Sequence, residues 1–328
     1  MGEGEDVKTR PDLKVEIQEK GEIFFFYRPK VNKEEAHSSD DVQRMYIVMR
    51  PESGERLVEE KQSSHSGKEG EKVSQKDGDE KDGDGKDGAK RGGHEGGHGE
   101  EEVNIKEKPL LRLAIMGKKS LPDPNKRGRP SWGYIDLVST NIDDIKAAMK
   151  GEEYDTATRG HRHTAAARAL AEGIYRILRH QSGRQNHTHL IYKLEFPVLD
   201  AAGVSGPQES PLEALNIDHE ASFLIQIKNP EQPGGSQFRG LPEKRKAAFP
   251  ASLQGCFGQK RFSPADPPDF LNYEGCEFLL ISASDDIEEE LGLELKTECD
   301  DDEKCSSDLL QMFGDAASTK PLLSGTWE

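Results

Sequence analysis

The chain is poor in apolar residues. Hydrophobic residues make up 33% and aromatic residues 6% of its 328 positions, against about 45–50% apolar in an ordinary globular domain. A large share of it therefore cannot belong to a packed core. It also lacks any apolar run near the ~18–20 residues that a spanning helix needs, so no membrane association is expected. Basic excess is missing too: the formal net charge is −17, and a phosphate backbone repels such a chain unless a local basic patch dominates. Nucleic acid is thus a disfavoured partner. Cysteine is scarce and late (Cys256, Cys276, Cys299, Cys305), with no Cys-x-x-Cys spacing, which excludes a disulfide framework. Cys256 and Cys276 lie in apolar contexts and are expected to be buried and reduced. The opening Met1-Gly2-Glu3-Gly4-Glu5-Asp6 is acidic rather than leader-like. A cytoplasmic or nuclear location is the expectation. No nucleophile elbow, P-loop, dinucleotide loop or metal quartet is present, and no cofactor is implied.

What is there is unevenly placed. From Glu59 to Pro109 the only apolar side chains besides that proline are Val73, Ala89, Val103 and Ile105. A near-repeat runs through this stretch: Lys76-Asp77-Gly78-Asp79-Glu80, Lys81-Asp82-Gly83-Asp84-Gly85, Lys86-Asp87-Gly88. Such residues bury too little surface to offset an ordering cost of roughly 1–2 kcal/mol per residue. The sequence therefore divides into a flexible N-terminus (1–11), a single core domain (12–58 plus 107–283), a disordered low-complexity insertion (59–106) and an acidic, partly disordered C-terminal tail (284–328). Insertion into a loop is cheap, because closure entropy grows only with the logarithm of length.

Within the core, short β-branched or aromatic runs bounded by turn residues predict strands at Glu22–Tyr27, Val42–Arg50, Leu110–Met116, Trp132–Val138, Ile174–Leu178, Leu190–Phe196, Ser222–Lys228 and Cys276–Ile281. Helices are fewer. Asn141 caps a helix over Ile142–Lys150, with acids in its first turn and Gly151 as its stop. The alanine-rich Thr164–Leu170 reads as a second helix. Ser210-Pro211 opens a short third, with proline at its first position. Strands outnumber helices without alternating with them, which predicts an α+β fold: a mostly antiparallel sheet or open barrel with two or three short helices.

The ordered blocks Phe24-Phe25-Phe26-Tyr27-Arg28-Pro29-Lys30-Val31, Asp41-Val42-Gln43-Arg44-Met45-Tyr46, Thr158-Arg159-Gly160 before Glu172-Gly173-Ile174-Tyr175, and Ile227-Lys228-Asn229-Pro230 resemble an uncharacterised family found in plants and some bacteria. The resemblance covers the core and not the acidic segments. It implies a compact core with a lineage-specific insertion, and it carries over no activity or site residue.

Four clusters are candidate sites. Thr158-Arg159-Gly160-His161-Arg162-His163-Thr164 precedes the predicted alanine-rich helix. A helix N-terminus offers free N–H groups and a partial positive charge. Arg159, Arg162 and Thr164 there would hold a small anion, with Arg168 and Arg176 within reach downstream, and His161 or His163 would supply an acid or base. His187 and His189, two apart on a strand, face the same way with His180 nearby, but nothing in Cys or His spacing supports a metal site. Lys118-Lys119 and Lys126-Arg127-Gly128-Arg129, followed by Trp132 and Tyr134, form the densest basic stretch, a conceivable RNA-stacking surface. Finally, Leu309, Leu310, Met312 and Phe313 could dock a partner groove or pack back on the core. Ser306 and Ser307 beside them sit among acids as candidate phosphorylation sites.

These residues leave three readings open. The first is a non-enzymatic binding protein, using its acidic tail for a protein partner and the Arg159–Thr164 loop for an anion. The second is an enzyme acting on a phosphorylated or carboxylated small molecule. The third is an RNA-associated protein.

Overall fold

The computed structural model describes residues 4–10, 14–52, 55–59, 100–126, 128–182, 185–197, 209–232, 240–297 and 307–328. The first strands are β1 (Glu5–Lys8), β2 (Val15–Pro29), β3 (Val42–Pro51), β4 (Glu55–Glu59) and β5 (Glu100–Asn104). Then come β6 (Leu111–Met116), β7 (Ser131–Ser139), β8 (Glu152–Thr156), β9 (Gly160–Thr164), β10 (Arg168–Ser182) and β11 (Gln185–Phe196). The last are β12 (Glu220–Lys228), β13 (Phe262–Pro264), β14 (Glu277–Ser284) and β15 (Leu293–Lys296). Six short helices lie between and after them among the described residues: α1 (Ile142–Met149), α2 (Pro211–Ala214), α3 (Ala251–Phe257), α4 (Ile287–Leu291), α5 (Asp308–Phe313) and α6 (Lys320–Ser324).

Eight strands run antiparallel in the order β11-β10-β2-β3-β6-β7-β14-β12, and β12 returns to β11 through Glu220–Leu224, which closes the barrel. The other half of β12, Gln226–Lys228, carries the short β13. The fold is thus mostly β, and the sheet that the sequence left open is shut. Closure removes the exposed edges that a free sheet would present.

Each of the eight barrel strands sends side chains inward, among them Ile23, Ile47, Ala114, Ile135, Tyr175, Tyr192, Ile225 and Phe278. Eight strands leave an interior that side chains just fill. On β2 the alternation is explicit. Phe25 and Tyr27 join the interior, while Phe24 and Phe26 join a second cluster on the outer face. An unbroken aromatic run must be covered on both sides. The outer cover comes from α1, through Ile145 and Met149, and from the C-terminal helices, through Leu309, Phe313 and Leu322. A third cluster sets Ile287, Leu291, Leu293 and Leu295 against Ile174, Leu178 and Ile191.

Several sequence expectations change here. Residues 284–297 and 307–328 are not a tail: α4, β15, α5 and α6 are the outer layer of the barrel. Their alternating leucines, isolated among acids, are the buried side of short amphipathic pieces. The N-terminus contributes β1, which pairs with β15 from Glu5↔Lys296 to Lys8↔Leu293. Residues 100–104 of the expected insertion form a hairpin with β4, while 60–99 lie outside the described residues. The predicted helix over Thr164–Leu170 is extended chain entering β10. Ala169 pairs opposite Phe26, and the Ala169 N–H donates to Ser318 O at 2.8 Å. Small side chains beside bulky aromatics fill the ladder, and tertiary pairing overrides helix propensity. The eight predicted strands, which are the barrel strands, and the Asn141-capped α1 lie where the sequence predicts them, with the Asn141 side chain accepting from the Asp143 N–H, while β8, β9 and β13 were not predicted.

Candidate functional sites

The Arg159–Thr164 loop is the tip and second strand of the β8–β9 hairpin, not the foot of a helix. No array of free N–H groups exists there. Register sets an acidic strand against a basic one: Glu153 faces His163, Tyr154 faces Arg162 and Asp155 faces His161. His161, 63% exposed, lies with Nδ1 3.3 Å from Asp155. His163 Nε2 lies 2.6 Å from Glu34. The Thr164 hydroxyl is spent on the Glu152 backbone. The helix N-terminus on which the anion reading for Arg159, Arg162 and Thr164 rested is absent, and the acid–base candidates His161 and His163 stand beside the carboxylates of Glu153, Asp155 and Glu34. Arg168 and Arg176 are structural as well. The first donates to Ala166 O and Glu34 O, and the second to Asp6, Tyr175 O and Gly4 O.

His180, His187 and His189 do share one outer face, with His180 directly opposite His187. The His180 and His189 rings lie 5.5 Å apart. His189 is buried, its Nδ1 3.0 Å from Ser222 Oγ and 3.8 Å from Glu290. Burial, with the two neighbouring imidazoles, pushes it down to about 3, so it is neutral. Among the described residues no three His, Cys, Asp or Glu side chains are placed to hold one metal ion.

Part of the basic stretch is committed to neighbours. Lys126 pairs with Asp123 at 2.8 Å, and the Trp132 indole N–H donates to Glu277 at 3.0 Å. The guanidinium of Arg245 covers the Tyr134 ring. The Trp132 and Tyr134 rings lie against each other, their centroids 5.3 Å apart. Of the expected docking residues, Leu309 and Phe313 are fully buried, Phe313 standing edge-on to Phe24 and Phe26 at 5.7 and 5.5 Å. Met312 is half-buried, and only Leu310 is exposed. Ser307 is buried as the cap of α5, accepting from the Leu310 N–H, while Ser306, Cys299 and Cys305 lie outside the described residues. Cys256 is exposed, contrary to the sequence reading, and Cys276 is buried, which pushes its thiol far up.

Two charge clusters were not legible in the sequence, because their members are far apart along the chain. Inside the barrel, Arg112 donates Nη1 and Nη2 to the two oxygens of Glu19 at 2.6 and 2.9 Å, and Nε to Asn272 at 2.8 Å. Tyr175 Oη donates to Glu19 at 2.8 Å, and Arg56 approaches it at 3.2 Å. Burial pushes the Glu19 carboxyl up, but Arg112 and its hydrogen bonds outweigh that and hold it below its ordinary range. Every lone-pair direction is occupied, so Glu19 is a strut and not a base in waiting.

The second cluster lies on the outer face under α5. Arg50 bridges Glu22 and Asp308, and Glu172 accepts the Leu309 N–H at 2.5 Å. Burial raises both Glu22 and Glu172 to about 7. Such values suit proton transfer, yet both groups face the chain's own helix rather than an open cleft. Among the described residues no helix is long and apolar enough to cross a membrane. No known protein family matches the chain, and neither a curated protein nor a solved structure matches it.

Proposed function

We propose that this protein is a non-enzymatic binding protein that engages a protein partner through the outer surface of its C-terminal segment. One observation carries the reading. The large hydrophobic side chains that stand exposed among the described residues are Tyr154, Leu310 and Leu323, and Leu323 is 69% exposed. Two of the three belong to α5 and α6. The groups that would have served catalysis are spent elsewhere: the barrel interior is filled, and its buried charges satisfy one another. The net charge of −17 gives the partner its chemistry, an apolar pocket rimmed by lysine or arginine.

A photo-crosslinker placed at position 323 tests this. The expected result is one discrete adduct that is lost in Leu310→Asp and weakened by salt, with none from a crosslinker at Lys126. A thermal-shift scan against phosphorylated metabolites and short RNA is the counter-test. No shift is expected. A shift that disappears in Arg162→Ala would overturn the binding reading in favour of an enzyme, since a ligand at 100 times its dissociation constant stabilises by about 2.7 kcal/mol.

A further inference from the structure

We propose that the C-terminal segment 307–328 is a strap whose α5 end is fastened by protons held on Glu22 and Glu172, so that it docks firmly in acid and loosens as the pH rises toward neutrality. The geometry is one of too many carboxylates for the cations present. Glu22 on β2 is faced by Arg50 from β3 and by Asp308 from α5, with the Glu22 and Asp308 carboxyls in hydrogen-bond reach of each other. Glu172 on β10 is faced by Ser307, the Leu309 N–H and Asp308 from the strap, and by Glu195 from β11. Four carboxyls, Glu22, Asp308, Glu172 and Glu195, therefore share this patch, and Arg50 pairs with the first two. Like charges at such distances cannot all ionise, and the cheapest remedy is to retain a proton.

Opening the strap removes the crowding. Asp308 leaves with α5, Glu22 and Glu172 gain water, and the protons pass to solvent. The docked state binds more protons than the open one, so raising the pH favours opening. Burial and the neighbouring acids raise Glu22 and Glu172 to about 7, which sets the window between the ordinary glutamate range and neutrality. The rest of the strap is held differently. Ser318 exchanges backbone hydrogen bonds with Ala167 and Ala169, and Trp327 stands edge-on to Tyr27 at 5.4 Å. Asp315 pairs with Lys146 at 2.9 Å and Glu328 with Arg168 at 3.5 Å. Lys146 holds the Asp315 carboxyl below its ordinary range, so that pair stays closed near neutrality, and opening begins at α5 and uncovers Phe24 and Phe26. The device regulates the surface assigned above to a partner, but its test needs no partner.

The experiment is amide hydrogen exchange on the full chain, expressed as protection relative to the intrinsic rate at each pH. Between pH 5.5 and 7.5 the protection of residues 309–316 is expected to fall about tenfold or more, and at every pH to lie below that of Tyr175 and Ile177 in the barrel wall, which exchange only when the whole fold opens. Glu172→Gln keeps an oxygen for the Leu309 N–H but cannot titrate, and it should flatten the fall. Glu22→Gln is the second variant should the first fold poorly. Flat protection of residues 309–316 in the unaltered chain, protection there no lower than in the barrel wall, or an undiminished fall in both variants would each overturn the proposal.

Discussion

Arg112 and Glu19 form a two-pronged ion pair inside the barrel, with both side chains sealed from water. Removing two charges from solvent is costly, and the pair is tolerable only because Tyr175, Asn272 and Arg56 take up the remaining hydrogen-bonding capacity. It joins β6 to β2 across β3, which lies between them in the barrel order.

Breaking the pair from one side should therefore cost more than removing it. Arg112→Ala leaves the buried Glu19 carboxylate without its two-pronged partner, with Arg56 the remaining cation beside it, and is expected to destabilise by about 3–5 kcal/mol. Arg112→Met combined with Glu19→Leu should recover a large part of that loss. Denaturant unfolding of the two variants decides the matter. A single substitution costing under about 1 kcal/mol would mean that the pair is not sealed as described.

The outer layer makes a second contrast. Phe313 is fully buried against Phe24 and Phe26, whereas Leu323 stands in solvent. Phe313→Ala should destabilise by about 3–5 kcal/mol, and Leu323→Ala should change stability by no more than about 0.5 kcal/mol. Equal melting temperatures for the two variants would show that the C-terminal segment does not belong to the cooperative unit.

How far the sequence revealed this can be read from Phe24–Tyr27. Consecutive aromatics mark a strand buried on both faces, so a second layer was implied. Its source was hidden, because Leu309 and Phe313 sit among acids whose solvated side masks the buried one. The eight barrel strands were legible because each is long enough to show its pattern between turn residues, whereas the short β8, β9 and β13 were not. The Ala165–Ala171 stretch was not, since alanine carries helix propensity wherever it stands and only the neighbouring Phe26 makes it a strand. The Arg159–His163 cluster was visible as residues, but its setting, a hairpin rather than the foot of a helix, was not. Its neutralising partners, Glu34, Glu153 and Asp155, come together only through the hairpin and the contact with the loop after β2.

That hairpin predicts indifference. Arg159 lies exposed at its turn, so Arg159→Ala should leave stability within about 0.5 kcal/mol and should not alter the response to inorganic phosphate. Isothermal titration with phosphate measures this directly. Saturable binding lost in Arg159→Ala would restore the anion site.

His189 sets the acid limit of the fold. Buried beside His180 and His187, it stays neutral down to about 3, whereas in the unfolded chain it takes a proton near its ordinary value of about 6.5. The unfolded state therefore binds more protons below that value, and stability falls as the pH drops, by up to about 1.4 kcal/mol per pH unit. Glu22 and Glu172 act in the opposite sense, favouring the folded chain as the pH falls from about 7 toward the ordinary glutamate range. The two trends partly cancel in the whole protein, so the test must be a difference between variants. In His189→Gln, stability relative to the unaltered chain should improve progressively from pH 6.5 to pH 4.5, as read from urea midpoints at each pH. A constant offset across that range would mean that His189 is not a buried neutral imidazole.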